Sequence, residues 1–384
     1  MADGSLIGKV QDLSDLELAL LISLVSQEHC LISTAPDALN DLVEELQLTA
    51  TKTFGLSHVV IDCDPDTTLS SFTSALLVPK PQSPTRAPSP FSTRTESYFV
   101  SRPKSQSYHP SKPLFPGPLV HIPNVVFAKN FDQAPHAVQI QALELLRSRR
   151  IYTRTSVHAA PKQFLFVPVL GAESGGQARV TKHLNDFLFV AHWHDPDDGY
   201  INLEEADGGL DAETASTGSV VKKASPLDTP APSEVLFSEK VSICRWYQEG
   251  EPADNLMGEQ EISHIAHLSR DVDVDVEVTR YLMNVVSFLR LHRAVAEGVT
   301  PTATKHLEQL ARCLAPLHDL TFVTPGLVDL AVRKVYLHRI SIVTPEKERS
   351  MQWGSRLSAV AAVLEDVGPE DVIEDVLEMV TAPL

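Results

Sequence analysis

The chain has 384 residues, of which 43 % are hydrophobic and 21 % charged, and its formal net charge is −18. This composition is typical of globular domains and lies outside the range of chains that are too polar to fold. No apolar run approaches the roughly 20 residues that span a bilayer, and the acidic start lacks the features of a secretory signal. We therefore expect about two or three domains, an intracellular protein of the cytoplasm or nucleus, and no membrane partner.

The charge is unevenly distributed along the chain. Residues 1–79 carry a net charge of −10 and residues 161–384 carry −16, whereas residues 80–160 carry +8. The acidic total disfavours nucleic-acid binding by the whole surface, because phosphate contacts need a positive face. Two interpretations of segment 80–160 stay open: it pairs with the acidic flanks of the same molecule, or it binds RNA or another anion.

The four cysteines, Cys30, Cys63, Cys244 and Cys313, are far apart in the sequence and stand in apolar surroundings. No CxxC pair occurs, which argues against a zinc ribbon or a redox pair. The sequence predicts four buried, reduced thiols.

The first half of the chain alternates between predicted helices and strands. A helix is predicted over 12–26, where Ser14 and Glu17 have the spacing of a capping box. Strands are predicted at 29–33, 57–63, 123–130 and 163–170, and further helices at 36–50 and 135–151. Strands that are separated by helices predict a parallel α/β sheet.

Two segments interrupt this pattern. Residues 79–118 contain ten prolines and eight serines, a composition that predicts a disordered insert. Ser83 and Ser89 each precede a proline there, and their phosphorylation would lower the positive charge of the insert. Residues 201–233 are rich in acidic and small polar residues and predict a flexible linker.

The last third of the chain is predicted to be helical. Helices are predicted at 278–298, 303–319 and 325–340, and one or two short ones within 346–384. The alternation of acids and valines at 271–278 predicts either an edge strand or an extended lead-in to the next helix. The pair His338–Arg339 is explained by ordinary amphipathic packing of its helix.

His192 and His194 belong to the stretch AHWHDPDDG at 191–199. On a strand they would point to the same side, as the ligands of a metal site do. The preferred interpretation is a surface turn, because acids, proline and glycine follow directly.

Four stretches, in this order, resemble the AAA+ ATPases of the magnesium-chelatase ATPase-subunit and MoxR type. They are 117–135, 138–151, 164–190 and 298–340, and they match two family strands, the helix that begins Val-Gln and the helical lid. The resemblance implies a P-loop NTPase-like parallel α/β core at about residues 10–200 and an all-α lid at about 260–345. It also implies an ATP-driven activity, protein remodelling or insertion of Mg²⁺ into a porphyrin, carried out by a ring of subunits.

The sequence departs from this family wherever ATP would be handled. The glycine-rich GxxxxGK[ST] loop that cradles phosphates is absent, and its place is taken by STAPDALND at 33–41. The Asp-Glu pair that would hold Mg²⁺ and polarise water is replaced, the arginine finger before Phe187 is missing, and no polar residue ends the sensor strand at 168–170. The positions of this degenerate pocket are Ala35, Asp37, Asp41, Lys129, Asn130 and Thr302, the last in place of a lid arginine.

These losses predict a pseudo-ATPase with no catalytic residue, no metal site and no required cofactor, whose protein partners include AAA+ subunits in a homo- or hetero-ring. The alternative is an active remodelling ATPase of the magnesium-chelatase or MoxR type, which would bind ATP and Mg²⁺. An arginine finger alone is worth about 10³–10⁵ in rate, so loss of all parts together favours the first interpretation. Two roles stay open for Lys129: it holds an anion in the old phosphate pocket, or it pairs with Asp37 and keeps the empty pocket folded, and we expect the pairing.

Overall fold

The computed structural model describes residues 4–79, 120–153, 156–205 and 255–383. Nearly all of the predicted insert 79–118, with Ser83 and Ser89, lies outside these residues, as do Cys244 and most of the predicted linker 201–233. Cys30, Cys63 and Cys313 are buried and form no disulfide, as predicted for these three. Within the described ranges, no helix combines the length and apolarity that crossing a membrane requires.

A five-stranded sheet forms the centre of the chain. Its strands are β1 (Cys30–Thr34), β2 (His58–Asp62), β3 (Val125–Lys129), β4 (Leu165–Gly171) and β5 (Val190–Trp193). Their spatial order is β2-β3-β4-β1-β5, and every neighbouring pair is parallel. The strands β1, β3 and β4 are buried almost throughout, as continuous apolar strands are in a sheet that is covered on both faces.

Helices cover both faces of this sheet. They are α1 (Gly4–Gln11), α2 (Asp15–Ser26), α3 (Leu39–Leu48), α4 (Leu69–Leu76), α5 (His136–Ser148) and α6 (Lys182–Phe187). The predicted capping box of α2 is confirmed, since the Glu17 amide donates to Ser14 Oγ and the Ser14 amide donates to the Glu17 carboxylate. This reciprocal bonding satisfies two amides that a helix start otherwise leaves unpaired.

The lid is built from helices and follows the sheet in sequence. Its elements are α7 (Glu259–Arg270), α8 (Val276–Leu291), α9 (Pro301–Leu317) and α10 (Pro325–Tyr336), followed by α11 (Leu357–Leu364) and α12 (Pro369–Met379). The buried side chains of α2, α3, one sheet face and the lid form one continuous apolar cluster. Each fully buried leucine or valine contributes about 1.5–3 kcal/mol, so this cluster joins the lid firmly to the sheet. The other face packs against α4, α5 and α6 in a second cluster.

One helix is shorter than its sequence pattern predicts. The predicted helix 278–298 ends at Leu291 in α8, and Val295–Glu297 pairs with Ser341–Ile342 as a small antiparallel ladder. Gly298 has a φ of +117°, and a Cβ there would lie 2.1 Å from the carbonyl oxygen of Arg339. Gly298 therefore makes a close turn beside a second chain segment rather than ending a helix.

The segment 271–278 is an extended lead-in, one of its two predicted forms. A single bridge joins Asp273 to Phe322, and the Asp275 carboxylate caps α8 by accepting from the Glu277 amide. An acidic cap also interacts favourably with the positive end of the helix dipole.

Candidate nucleotide pocket and lid junction

The sheet has its topological switch point at the carboxyl end of β1, and the region outside this end is called the crevice below. The chain leaves β1 toward β2 on one side of the sheet, and β5 lies on the other side of β1. In parallel α/β sheets, ligands bind outside the carboxyl ends of the strands where the connections diverge in this way. The residues that follow Thr34 therefore occupy the position of a phosphate-binding loop.

The turn after β1 is short and packs down onto the sheet. Only residues 35–38 separate Thr34 from Leu39, and Pro36–Ala38 forms one turn of 3-10 helix that the Ala38 amide closes by donating to Ala35 O at 3.1 Å. A Cβ on Gly171, at the end of β4, would lie 3.2 Å from Pro36 Cα. The Tyr200 hydroxyl donates to Ala38 O at 3.3 Å. The turn thus fills the end of β4 instead of arching over an open cradle.

Lys129 lies at the end of β3 and reaches this crevice. Its ammonium donates to Asn40 Oδ1 at 2.7 Å and lies 3.6 Å from Asp62 Oδ2. The predicted pairing with Asp37 is therefore wrong. The physical reason is register: Asp62 of β2 stands directly beside Lys129 in the parallel pair, whereas Asp37 is an exposed residue of the turn.

Asn130 completes the same small cluster. Its amide N–H donates to Val169 O at 2.9 Å, and its side-chain Nδ2 donates to Asp62 Oδ1 at 3.4 Å. Its φ of +51° lies in the left-handed region, which asparagine tolerates better than most residues. The structure thus joins Lys129 and Asn130 to Asp62 and Asn40, two residues that the sequence analysis missed. Ala35, Asp37 and Asp41 lie in or next to the turn, and both acids are exposed.

Thr302 lies elsewhere. It belongs to the first turn of α9, whose N-cap Thr300 donates from Oγ1 to Asp186 Oδ1 of α6 at 2.5 Å. Because α6 ends just before β5 begins, this junction lies toward the amino ends of the strands. The predicted pocket positions are therefore divided between the two ends of the sheet.

The junction between α6 and the lid centres on Arg339, which is 4 % exposed. Its guanidinium donates to Leu188 O, to Val335 O at 2.5 Å and to His306 Nδ1 at 2.7 Å. Burial lowers the pKa of Arg339 to about 10, and the Asp186 carboxylate acts in the opposite direction. The side chain therefore stays cationic at neutral pH and ties the lid to the sheet.

Two buried histidines surround this arginine. Burial lowers the pKa of His306 to about 3, and the charge of Arg339 adds to the effect. Burial also lowers the pKa of His338 well below its ordinary value, and its Nε2–H donates to Leu188 O at 3.1 Å. Both imidazoles are neutral, so His306 Nδ1 is free to accept the hydrogen bond from Arg339.

A signal for this network exists in the sequence. Val328, Val332 and Val335 precede Arg339 by 11, 7 and 4 residues, the spacing of one helix face, and all three are buried. An arginine that continues an apolar face is rarely buried without partners. The predicted helix 325–340 ends at Tyr336, so His338 and Arg339 lie in the turn that follows it, and the explanation by amphipathic helix packing is wrong.

His192 and His194 are 6 % and 5 % exposed, so the prediction of a surface turn is wrong for both. His192 lies on β5 and accepts from Lys334 Nζ at 3.3 Å, and burial lowers its pKa to about 3. The exposed turn begins only at Asp195. In the described part of the chain, no group of three or more His, Cys, Asp or Glu side chains is placed to hold a metal ion.

One family match and one structural match agree with this architecture. The AAA lid domain family matches residues 287–357, and a comparison with curated protein sequences gave no match. The crystal structure of a candidate ATPase from Cytophaga hutchinsonii is similar over 99 % of this chain and 96 % of its own, with a TM-score of 0.58 and 13 % identity. A full-length MCM homologue from Methanopyrus kandleri gives a TM-score of 0.42 and 11 % identity over 87 % of this chain and 57 % of its own.

The chain thus has the P-loop NTPase fold of AAA+ proteins, a parallel sheet followed by a helical AAA lid, as the sequence predicted, and the lid also contains one small antiparallel ladder. At 13 % identity, the structural likeness to the Cytophaga protein concerns the fold alone.

Proposed function

We propose that this chain is a non-hydrolysing AAA+-like protein, related to the magnesium-chelatase and MoxR group, which works as an interaction or scaffold subunit. The observation that carries the proposal is the turn after β1. A phosphate-binding loop needs several glycines and a lysine so that backbone amides and an ammonium surround the phosphates. Residues 35–38 contain neither, and Pro36 packs against Gly171 where such a loop would open.

The charges of the crevice support the same proposal. Asp37 and Asp41 place two carboxylates at the start of α3, where an anionic ligand would otherwise be favoured by the helix dipole. The cation in the crevice, Lys129, is engaged by Asp62 and Asn40. An ATP phosphate would have to displace these partners and also overcome repulsion from three nearby acids.

Steady-state ATP hydrolysis tests this proposal. We expect the full chain with Mg²⁺ to release phosphate no faster than the variant Lys129→Ala from the same purification, because Lys129 performs no catalytic work. The two preparations control for a contaminating ATPase. A clear rate that falls in Lys129→Ala would contradict the proposal and favour the active remodelling ATPase.

For the partner, we propose a second AAA+-like subunit that contacts the lid. Trp353 is 86 % exposed, and Leu357 of the next helix is 46 % exposed. Leu291, 69 % exposed, lies close by, since Arg349 donates to its carbonyl oxygen at 3.3 Å. Exposed apolar groups that cluster in this way are typical of protein–protein interfaces. Light scattering with and without Trp353→Ser tests it: we expect assembly in the first case and a smaller particle in the second, and equal masses would contradict the proposal.

A further inference from the structure

A cavity of about 570 Å³ lies at the lid junction, between α6, the ladder strand Val295–Glu297 and the start of α9. Its size is that of a small-molecule site. Its permanently charged lining residues are four cations and two acids, namely Arg179, Lys182, Arg290 and Arg339 against Asp186 and Glu297. The lining thus carries two more positive than negative charges, although the whole chain is strongly acidic.

Neutral groups, rather than carboxylates, hold two of these cations. Arg179 donates to Gly176 O at 3.1 Å and to Ser341 Oγ at 2.8 Å. Arg290 donates to Val299 O at 3.2 Å. Carbonyl and hydroxyl oxygens orient a guanidinium but leave its charge uncompensated, which is costly for the half-buried Arg179, whereas water screens the charge of the exposed Arg290. An anion in the cavity would supply that counter-charge.

Two residues of the cavity lining each have a polar atom without a hydrogen-bond partner, and both atoms are closed off from solvent. Arg339 Nε is an unused donor, and its nearest carboxylate oxygen, Asp186 Oδ1, lies 3.8 Å away. Asn185, 7 % exposed, donates to His338 O at 2.6 Å, and its Oδ1 is an unused acceptor. Buried polar atoms are nearly always paired. A ligand that satisfies both must offer an acceptor and a donor.

We propose that this cavity binds a phosphate group, either as inorganic phosphate or as part of a small metabolite. Its oxygens would accept from Arg290 and Arg339, as phosphate oxygens commonly do from guanidinium groups. The remaining O–H of hydrogen phosphate would donate to Asn185 Oδ1. Sulfate has the same shape and charge but carries no proton at neutral pH, so it lacks this donor. The site is independent of the turn after β1 and of the proposed loss of hydrolysis.

Isothermal titration calorimetry of the full chain with sodium phosphate at pH 7 tests the proposal. Arg290→Gln removes one cation of the cavity from an exposed position, and Arg280→Gln on the same helix is the matched control, because Arg280 pairs with Glu277 outside the cavity. We expect a single site that Arg290→Gln weakens about tenfold or more, as loss of a charged hydrogen bond does, and that Arg280→Gln changes by less than about twofold.

Titrations with sulfate and with glycerol phosphate test which chemical groups the cavity recognises and whether its ligand is the free ion or a metabolite. We expect sodium sulfate at equal ionic strength to bind about tenfold more weakly than phosphate, since it leaves Asn185 Oδ1 unpaired. Glycerol phosphate binding more tightly than inorganic phosphate would indicate a metabolite, and the reverse order would indicate the free ion. Absence of phosphate binding, equal affinity in the Arg290→Gln and Arg280→Gln variants, or sulfate binding as tightly as phosphate would overturn the proposal.

Discussion

The crevice after β1 and the junction beneath the lid both hold a cation, but the surroundings of the two cations differ. In the crevice, Lys129 forms an ion pair with the Asp62 carboxylate and a hydrogen bond with the Asn40 amide oxygen, so a carboxylate of the same chain compensates its charge. At the junction, the Arg339 guanidinium is held chiefly by carbonyl oxygens and a neutral imidazole, and its nearest carboxylate oxygen is 3.8 Å away.

This difference indicates which of the two regions favours an anionic ligand more. We expect Lys129 to attract a phosphate only weakly, because it is already paired and the turn after β1 packs closely onto the sheet. The buried Arg339 guanidinium beside the cavity stabilises the fold through hydrogen bonds, and its carboxylate partner Asp186 comes no closer than 3.8 Å. The proposed anion site therefore lies toward the amino ends of the strands rather than at the carboxyl end of β1.

The largest expected effect concerns Arg339. Arg339→Met would leave the Val335 carbonyl oxygen and the His306 nitrogen without this donor and would remove one of two donors to the Leu188 carbonyl oxygen, and it would lower the free energy of unfolding by about 3–5 kcal/mol. Urea unfolding measures it. The control Arg333→Met removes an exposed ion pair with Glu374 and is expected to cost less than about 1 kcal/mol. An equal loss of unfolding free energy in both variants would contradict the conclusion that the buried Arg339 stabilises the fold more than an exposed ion pair does.

The second test uses pH. The folded-state pKa of His306 is about 3, below the ordinary value near 6.5, so the unfolded chain binds a proton that the folded chain refuses. Stability from this group is complete above about pH 6.5 and is lost as pH falls toward 3, with a slope of about 1.4 kcal/mol per pH unit. We expect His306→Gln, whose amide oxygen can still accept from Arg339, to flatten the acid limb by that slope. Parallel stability curves for both proteins would contradict the assignment.

The third test addresses the packed turn. Gly171→Ala would place a Cβ 3.2 Å from Pro36 Cα, and such overpacking costs about 1–3 kcal/mol. Gly326→Ala is the matched control, because no atom lies within 4 Å of its Cβ position and alanine favours a helix. We expect urea unfolding to show a loss in the first variant and no loss in the second. If Gly171→Ala left the free energy of unfolding unchanged, the turn after β1 would not be tightly packed against β4.

The smallest expected effect identifies the partner of Lys129. In double-mutant cycles built on Lys129→Met, we expect a coupling of about 0.5–1 kcal/mol with Asp62→Asn and none beyond error with Asp37→Asn. Added salt is expected to reduce the first coupling. A larger coupling with Asp37 than with Asp62 would show that the cation turns toward the α3 side of the crevice.

Local sequence patterns predicted most of the helices and strands, but they did not predict contacts between residues that are far apart in the sequence. The capping box at Ser14 and the apolar runs of four of the five strands depend on neighbours in sequence, so they could be predicted. The partner of Lys129 depends on which strand lies beside β3, and the end of α8 at Leu291 depends on the ladder with Ser341–Ile342. The Arg339 network joins residues up to 153 positions apart, and no local spacing specifies such contacts.

The central claim is that the crevice after β1 does not bind nucleotide, and a thermal-shift titration with ATP or ADP plus Mg²⁺ on the full chain tests it most directly. Binding to the folded state must raise stability, by about 2.7 kcal/mol at a hundred times Kd. We expect no shift beyond the one that equimolar inorganic phosphate gives through the lid cavity. A saturable shift that requires both the nucleoside and Mg²⁺, and that persists in Arg290→Gln, would contradict the claim.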